Sequence, residues 1–189
     1  PAGDIETILL YPRQFKITVA GAVNGPGPVI ATSFERVSEI LVIANRPTDI
    51  HTRLAATDPD FVLPSSYGSD RNIEIRHRNG TITGVDLRRY LATGDLDSNP
   101  TLRDGDVVYV PVRNVETGTV TLTGAVNIPG LYEHVVGDNL GTLLEMAGGL
   151  SVSADRTRIE ISRTIPVINA APRVETISVD MSRGQSALD

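Results

Sequence analysis

His51, His77 and His134 are the side chains best suited to proton transfer or metal ligation near neutral pH, yet they lie far apart in unlike contexts. No His-x-x-x-His or His/Asp cluster offers zinc spacing, and with no cysteine there is neither a thiolate ligand nor a disulfide. Asp104 and Asp106 flank Gly105, but two carboxylates fall short of the six to eight oxygens calcium takes, so a turn is expected there. Serines occur without a Gly-x-Ser-x-Gly elbow. The glycines from Gly21 to Gly27 connect two strands and present no helix N-terminus to a phosphate. The expectation is therefore no catalytic residue, no cofactor, no metal and no enzymatic activity. Two groups could instead bind. Asn24, Asn127 and Tyr132 sit around Pro-Gly turns, with amide and phenol groups suited to sugars; the alternative is that the amides serve turn geometry and Tyr132 packs on a sheet. Arg76, His77 and Arg78 stand beside Asn79-Gly80, either as a solvated hairpin tip or as a contact for an anionic ligand.

These residues need elements to position them. Residues 15–23 alternate, with Phe15, Ile17 and Val19 on one side and Lys16, Thr18 and Ala20 on the other, which predicts a half-buried strand. Asn24-Gly25-Pro26-Gly27-Pro28 is turn chemistry, and Val29-Ile30-Ala31 begins a return strand. Thr32 and Glu35 form a capping-box pair ahead of an apolar stripe of Phe34, Val37, Ile40, Leu41 and Ala44. Further on come a strand at Ile73-Glu74-Ile75-Arg76, a tight turn at Asn79-Gly80 and a strand through Thr81-Ile82-Thr83. Asp86 caps a short helix from Leu87 that ends at Gly94, and Val107–Val110 closes the unit. One helix packed across a small mixed sheet is an α+β architecture of the β-grasp pattern.

The unit recurs. Ile17-Thr18-Val19-Ala20-Gly21-Ala22-Val23-Asn24 returns as Val120-Thr121-Leu122-Thr123-Gly124-Ala125-Val126-Asn127, with Gly124 standing 103 residues after Gly21. The register continues through Pro26-Gly27 onto Pro129-Gly130. It then runs from Val37, Ile40, Leu41 and Ala44 onto Leu140, Leu143, Leu144 and Ala147. Asp138 is expected to start this second helix and Gly148-Gly149 to end it. Such a gap-free match across strand, turn and helix predicts duplication. The domain reading is a closing strand of a preceding unit at 1–11, a first unit at 12–114 with an insertion at 45–70, and a C-terminally incomplete second unit at 115–189. The opening Gly3–Leu10 strand is expected to pair with the second unit of another copy. Within the insertion, Ile50, Leu54 and Phe61 could seat a helical turn; the segment serves local packing or a partner.

Bulk properties narrow the classes. The 189 residues are 40% hydrophobic and only 4% aromatic, without Trp, so cores must rest on Val, Ile and Leu, and two small cores fit better than one wide one. The formal charge of -6 and pI near 5.1 give no footprint for nucleic acid. Lys16 is the only lysine among otherwise arginine cations. No apolar run approaches the length of a membrane span.

The succession Gly-Ala-Val-Asn, Pro-Gly, amphipathic helix, Ile-Glu-Ile, Val-Asp-Leu, Asn99-Pro100, Leu102-Arg103-Asp104-Gly105-Asp106-Val107 and Val110-Pro111 resembles the SLBB module, the soluble-ligand-binding β-grasp. Such modules occur in tandem in Wza-type outer-membrane polysaccharide export proteins. The resemblance implies a periplasmic, outer-membrane-associated homo-oligomer of stacked modules, forming part of a translocation channel for capsule or exopolysaccharide. It also implies a possible inner-membrane copolymerase as partner. The competing expectation is a non-channel module that binds a soluble ligand or glycan; a scaffold role in a respiratory assembly is a third.

Overall fold

The computed structural model describes residues 11–58, 61–113, 118–165, 167 and 171–182. It divides into two compact units, one from the described residues within 1–119 together with Glu133–Val135, the other from 120–132 and 136–182. The expected Gly3–Leu10 strand and the close of the second unit at Ser186–Asp189 lie outside the described residues.

In the first unit, β1 (Gln14–Gly21) and β2 (Gly27–Thr32) form the expected antiparallel hairpin. A second hairpin, β3 (Ile73–Arg76) and β4 (Ile82–Val85), turns at Gly80, whose φ of +87° suits glycine. β5 (Val107–Val110) runs parallel to β1 and antiparallel to β3, and so joins the two hairpins into one mixed sheet in the order β2-β1-β5-β3-β4. Helix α1 (Val37–Ala44) covers one face of it. Val37, Ile40, Leu41 and Ala44 bury themselves against Ile17, Val19, Ile73, Ile75, Val85, Val108 and Val110. The fold is α+β, and the aliphatic stripe read from the sequence is the core.

The helix start differs from expectation. Glu35 does accept from the Thr32 N–H (2.6 Å), but this closes a turn before the helix. The cap is Arg36, whose N–H donates to Glu39 (2.8 Å). Two residues of turn thus shift the helical phase and leave Phe34 70% exposed rather than in the core. Support comes instead from far along the chain: fully buried Asn99 accepts from the Ser38 N–H (3.1 Å), satisfying a first-turn donor. Asp86 caps α3 (Leu87–Thr93) through the Arg89 N–H, and Gly94 ends that helix in the left-handed conformation, both as expected. Within the insertion, α2 (Asp49–Thr57) is capped by Thr48 and buries no residue; Ile50 and Leu54 are exposed, and the Phe61 ring stacks on His51.

A buried ionic cluster tightens the first unit. Arg71, 3% exposed, donates Nε and Nη2 to one Asp86 oxygen (3.0 and 2.8 Å) and Nη1 to the Glu133 carbonyl. The Glu133 carboxylate accepts from the Ser69 hydroxyl and the Asn72 amide. A buried guanidinium persists only when its donors are met in this way.

In the second unit, β6 (Thr119–Leu122) pairs with β7 (Gly130–Glu133), and β8 (Ile159–Ile165) pairs with β9 (Arg173–Val179). Helix α4 (Leu140–Met146) starts at an Asn139 cap that accepts from Thr142 N–H, one residue beyond the expected Asp138. Leu143, Met146 and Ala147 pack with Tyr132, Val120, Leu122 and Val126. Among the described residues, no strand joins β6 to β8 as β5 joins β1 to β3.

Candidate functional site

The Pro-Gly turns are supports, not open surfaces. Asn24 is 7% exposed; its Nδ2 donates to the Asn45 carbonyl (2.7 Å) and its Oδ1 accepts from the Ser65 N–H (3.0 Å). Asn127 repeats the first bond, its Nδ2 donating to the Gly148 carbonyl (2.7 Å), and its side of the turn is exposed. Tyr132 is 2% exposed and its hydroxyl donates to the Ile128 carbonyl. Asn24 and Tyr132 therefore do not offer their polar groups to a sugar. The agreement between the turns extends further. Gly25 N–H bonds the Ala44 carbonyl as Ile128 N–H bonds that of Ala147, and Val23 N–H bonds Gly21 as Val126 N–H bonds Gly124. Each of these positions is displaced by 103 residues.

His77 also departs from the reading of it as part of a solvated tip. It continues the inward parity of Ile73 and Ile75, its side chain is 12% exposed, and both ring nitrogens are engaged. Nδ1 lies 2.9 Å from Asp106 Oδ1 and Nε2 lies 2.8 Å from Thr83 Oγ1. The other Asp106 oxygen accepts from the Arg103 N–H (2.8 Å). The Asp104-Gly105-Asp106 segment is thus a turn, as expected, pinned through His77 to β4. Asp, His and a hydroxyl in sequence are the parts of a nucleophile relay. Here the hydroxyl lies on the inward side of β4, opposite Ile75, so the three side chains brace β4 and the end of β3 against the 104–106 turn. Among the described residues no three His, Asp or Glu side chains could hold a metal together, and no helix is long and apolar enough to cross a membrane.

The face of the first sheet turned away from α1 is where side chains remain available. Register places Lys16, Thr18 and Ala20 of β1, Val107 and Tyr109 of β5, and Glu74 and Arg76 of β3 on it. Arg76 lies with its guanidinium carbon 4.2 Å from the centre of the Tyr109 ring; its Nε donates to Glu74 Oε2 (2.9 Å), and its Nη2 forms an ion pair with the same oxygen (2.9 Å). A cation held over an aromatic face and steadied by a carboxylate is pre-oriented. Arg78, in the turn after β3, brings its Cδ within 3.3 Å of the position a Cβ would take on Gly105. The absence of that Cβ is what lets the Arg78 side chain lie on the turn that leads into β5. At the other end, Tyr109 becomes one wall of an apolar groove of about 390 Å³, which Gly21, Ala22, Pro64, Tyr67, Val110 and Val112 complete. Of the sequence candidates, Arg76 lies on this face, Arg78 packs on Gly105 beside it, His77 turns away from it, and Asn127 lies in the other unit. Lys16, Tyr67 and Tyr109 were not among the candidates. Strand parity is the signal that could have found Lys16 and Tyr109, whereas Tyr67 comes from a 3-10 turn within the insertion, Pro64–Tyr67, with no such pattern.

No curated protein matches the chain. Residues 119–173, which carry β6, β7, α4, β8 and the start of β9, match the family model described as the SLBB domain.

Proposed function

We propose that the chain contributes two tandem SLBB-type modules to a polysaccharide export protein, and that its role is structural and non-enzymatic. The observation that carries this reading is the SLBB match over residues 119–173, since such domains occur in export proteins. The turn-to-helix bonds repeated at one spacing support extending the module to the first unit. On this reading the protein is periplasmic and associated with the outer membrane. Copies assemble through stacked modules around a passage for capsule or exopolysaccharide, and an inner-membrane copolymerase meets the assembly. The mechanism is passive: rigid α+β units hold their surfaces toward the polymer. The test is to remove the segment encoding residues 119–173 from the full-length protein in the producing cell. Polymer retained inside the cell, with loss of ring-shaped particles from detergent extracts, is the expected result. Unchanged surface polymer would end the export reading.

The groove beside Tyr67 and Tyr109 favours a second reading, a module that binds a soluble glycan without forming a channel. Here cells lacking the segment would export normally, while the isolated chain would still bind.

A further inference from the structure

We propose that the open face of the first unit's sheet binds acidic polysaccharide, taking its hexuronate carboxylates on Arg76, Arg78 and Lys16. The choice of polymer rests on the export reading above; the charge class comes from the geometry. Arg76 reaches from β3 over Tyr109 of β5, and Arg78, in the turn after β3, packs its side chain on Gly105 in the turn that leads into β5. Four residues of chain separate Gly105 from Tyr109, on the order of 10 Å. No single carboxylate or phosphate spans that distance, so the ligand must carry charges at intervals. Lys16 adds a third cation on the same side, next to Gly105, whose N–H donates to the Lys16 carbonyl. Glu74 is the one carboxylate placed among them by register, and it holds Arg76 flat on Tyr109. With Nε and Nη2 committed to Glu74, the far edge of that guanidinium still offers Nη1 donors for a carboxylate.

Charge complementarity gives the occupant its sign. The chain as a whole carries a formal -6, so a local excess of cations on the face away from α1 runs against the mean field. Ile30 and Ile82 on the flanking strands are 57% and 62% exposed, and the groove continues the face past Tyr109. An extended chain with apolar C–H faces and regular carboxylates fits this surface better than a compact ion does. Stacking on the exposed Tyr67 would seat a sugar ring, and the arginines would select the charge.

The test titrates the intact chain with an oligogalacturonate and, separately, with the same oligomer after reduction of its carboxyl groups. Amide chemical shifts and calorimetry follow both. The expected result is saturable binding of the acidic oligomer only, with Thr18, Val107 and Tyr109 amides shifting and affinity falling as salt rises. Arg76→Gln and Arg78→Gln should each weaken it by about tenfold, with the circular dichroism spectrum unchanged. Equal binding of the two oligomers, no binding of either, or binding indifferent to both substitutions would overturn the proposal. Export that persists in cells carrying both substitutions, with acidic binding lost, would separate the two readings. The face would then be a binding site that export does not use.

Discussion

Gly21 and Gly124 hold the same backbone conformation, with φ of +93° and +84°, yet their surroundings differ. A Cβ on Gly21 would fall 2.0 Å from the Val110 carbonyl oxygen, whereas one on Gly124 meets nothing within 4 Å. Gly124→Ala should therefore cost only the left-handed backbone strain, about 1 kcal/mol. Gly21→Ala must also part β1 from β5, and should cost several times as much; urea unfolding of the two variants checks the order. The asparagines allow a parallel comparison. Asn24→Ala leaves the Asn45 carbonyl and the Ser65 N–H without their buried partner and should lose about 1–3 kcal/mol. Asn127→Ala exposes its partner to water and should lose less than about 1 kcal/mol. The repeated Asn was visible in the sequence, but its function was not. A turn residue looks like a surface residue until the helix end 21 residues later is known to come back to it. His77 was more accessible to reasoning, since counting by twos from Ile73 and Ile75 already turns it inward.

At the level of elements, the sequence displayed what periodicity governs and concealed what distant partners govern. The α1 stripe, the β1–β2 hairpin and the Asp86 cap follow from local spacing, and the structure has them. The α1 start does not, because Asn99 and the Pro100 carbonyl, far along the chain, receive the first-turn N–H groups of Ser38 and Val37. Asp86 shows how one side chain can serve two elements: Oδ1 caps α3 and Oδ2 receives Arg71. Asp86→Ala removes both, leaves Arg71 buried without its carboxylate and should destabilise by about 3–5 kcal/mol. Asp86→Asn keeps a cap acceptor and should fall between that and the parent in thermal denaturation. The β8–β9 ribbon has its own acid sensitivity. Hydrogen bonds from Thr157 hold the Asp155 carboxyl below its ordinary range, and those from Ser182 do the same for Asp180. A depressed carboxylate stabilises above its unfolded pKa and loses that contribution as pH falls through the folded value. Both groups are fully exposed, so the effect is local. Amide exchange at Thr157 and Ser182 should quicken below about pH 4 while the β1–β5 amides stay protected.

For the whole molecule, the repeated letters were the most legible feature, and burial repeats with them at several positions. Leu41 and Leu144 are both buried on the inner face of a helix, and Val23 and Val126 both pack into their own unit's core. Among the described residues, the first unit is unified by β5, while the second holds two separate ribbons. The available face was hidden because Lys16, Tyr109 and Arg76 come from three strands and meet only through the pairing of β5 with β1 and with β3. The amide bond from Asn24 to the Asn45 carbonyl has an architectural consequence. It fastens the hairpin to Asn45, where the chain enters residues 45–70, so that whatever follows begins beyond a finished seam. The bond from Asn127 to Gly148 draws the same seam in the second unit. A foreign segment grafted directly after Gly148 should leave the thermal midpoint of that unit nearly unchanged, while the same graft between Asn127 and Gly148 should abolish its folding. Each seam leaves a place where chain can depart without disturbing the bonded turn and helix end.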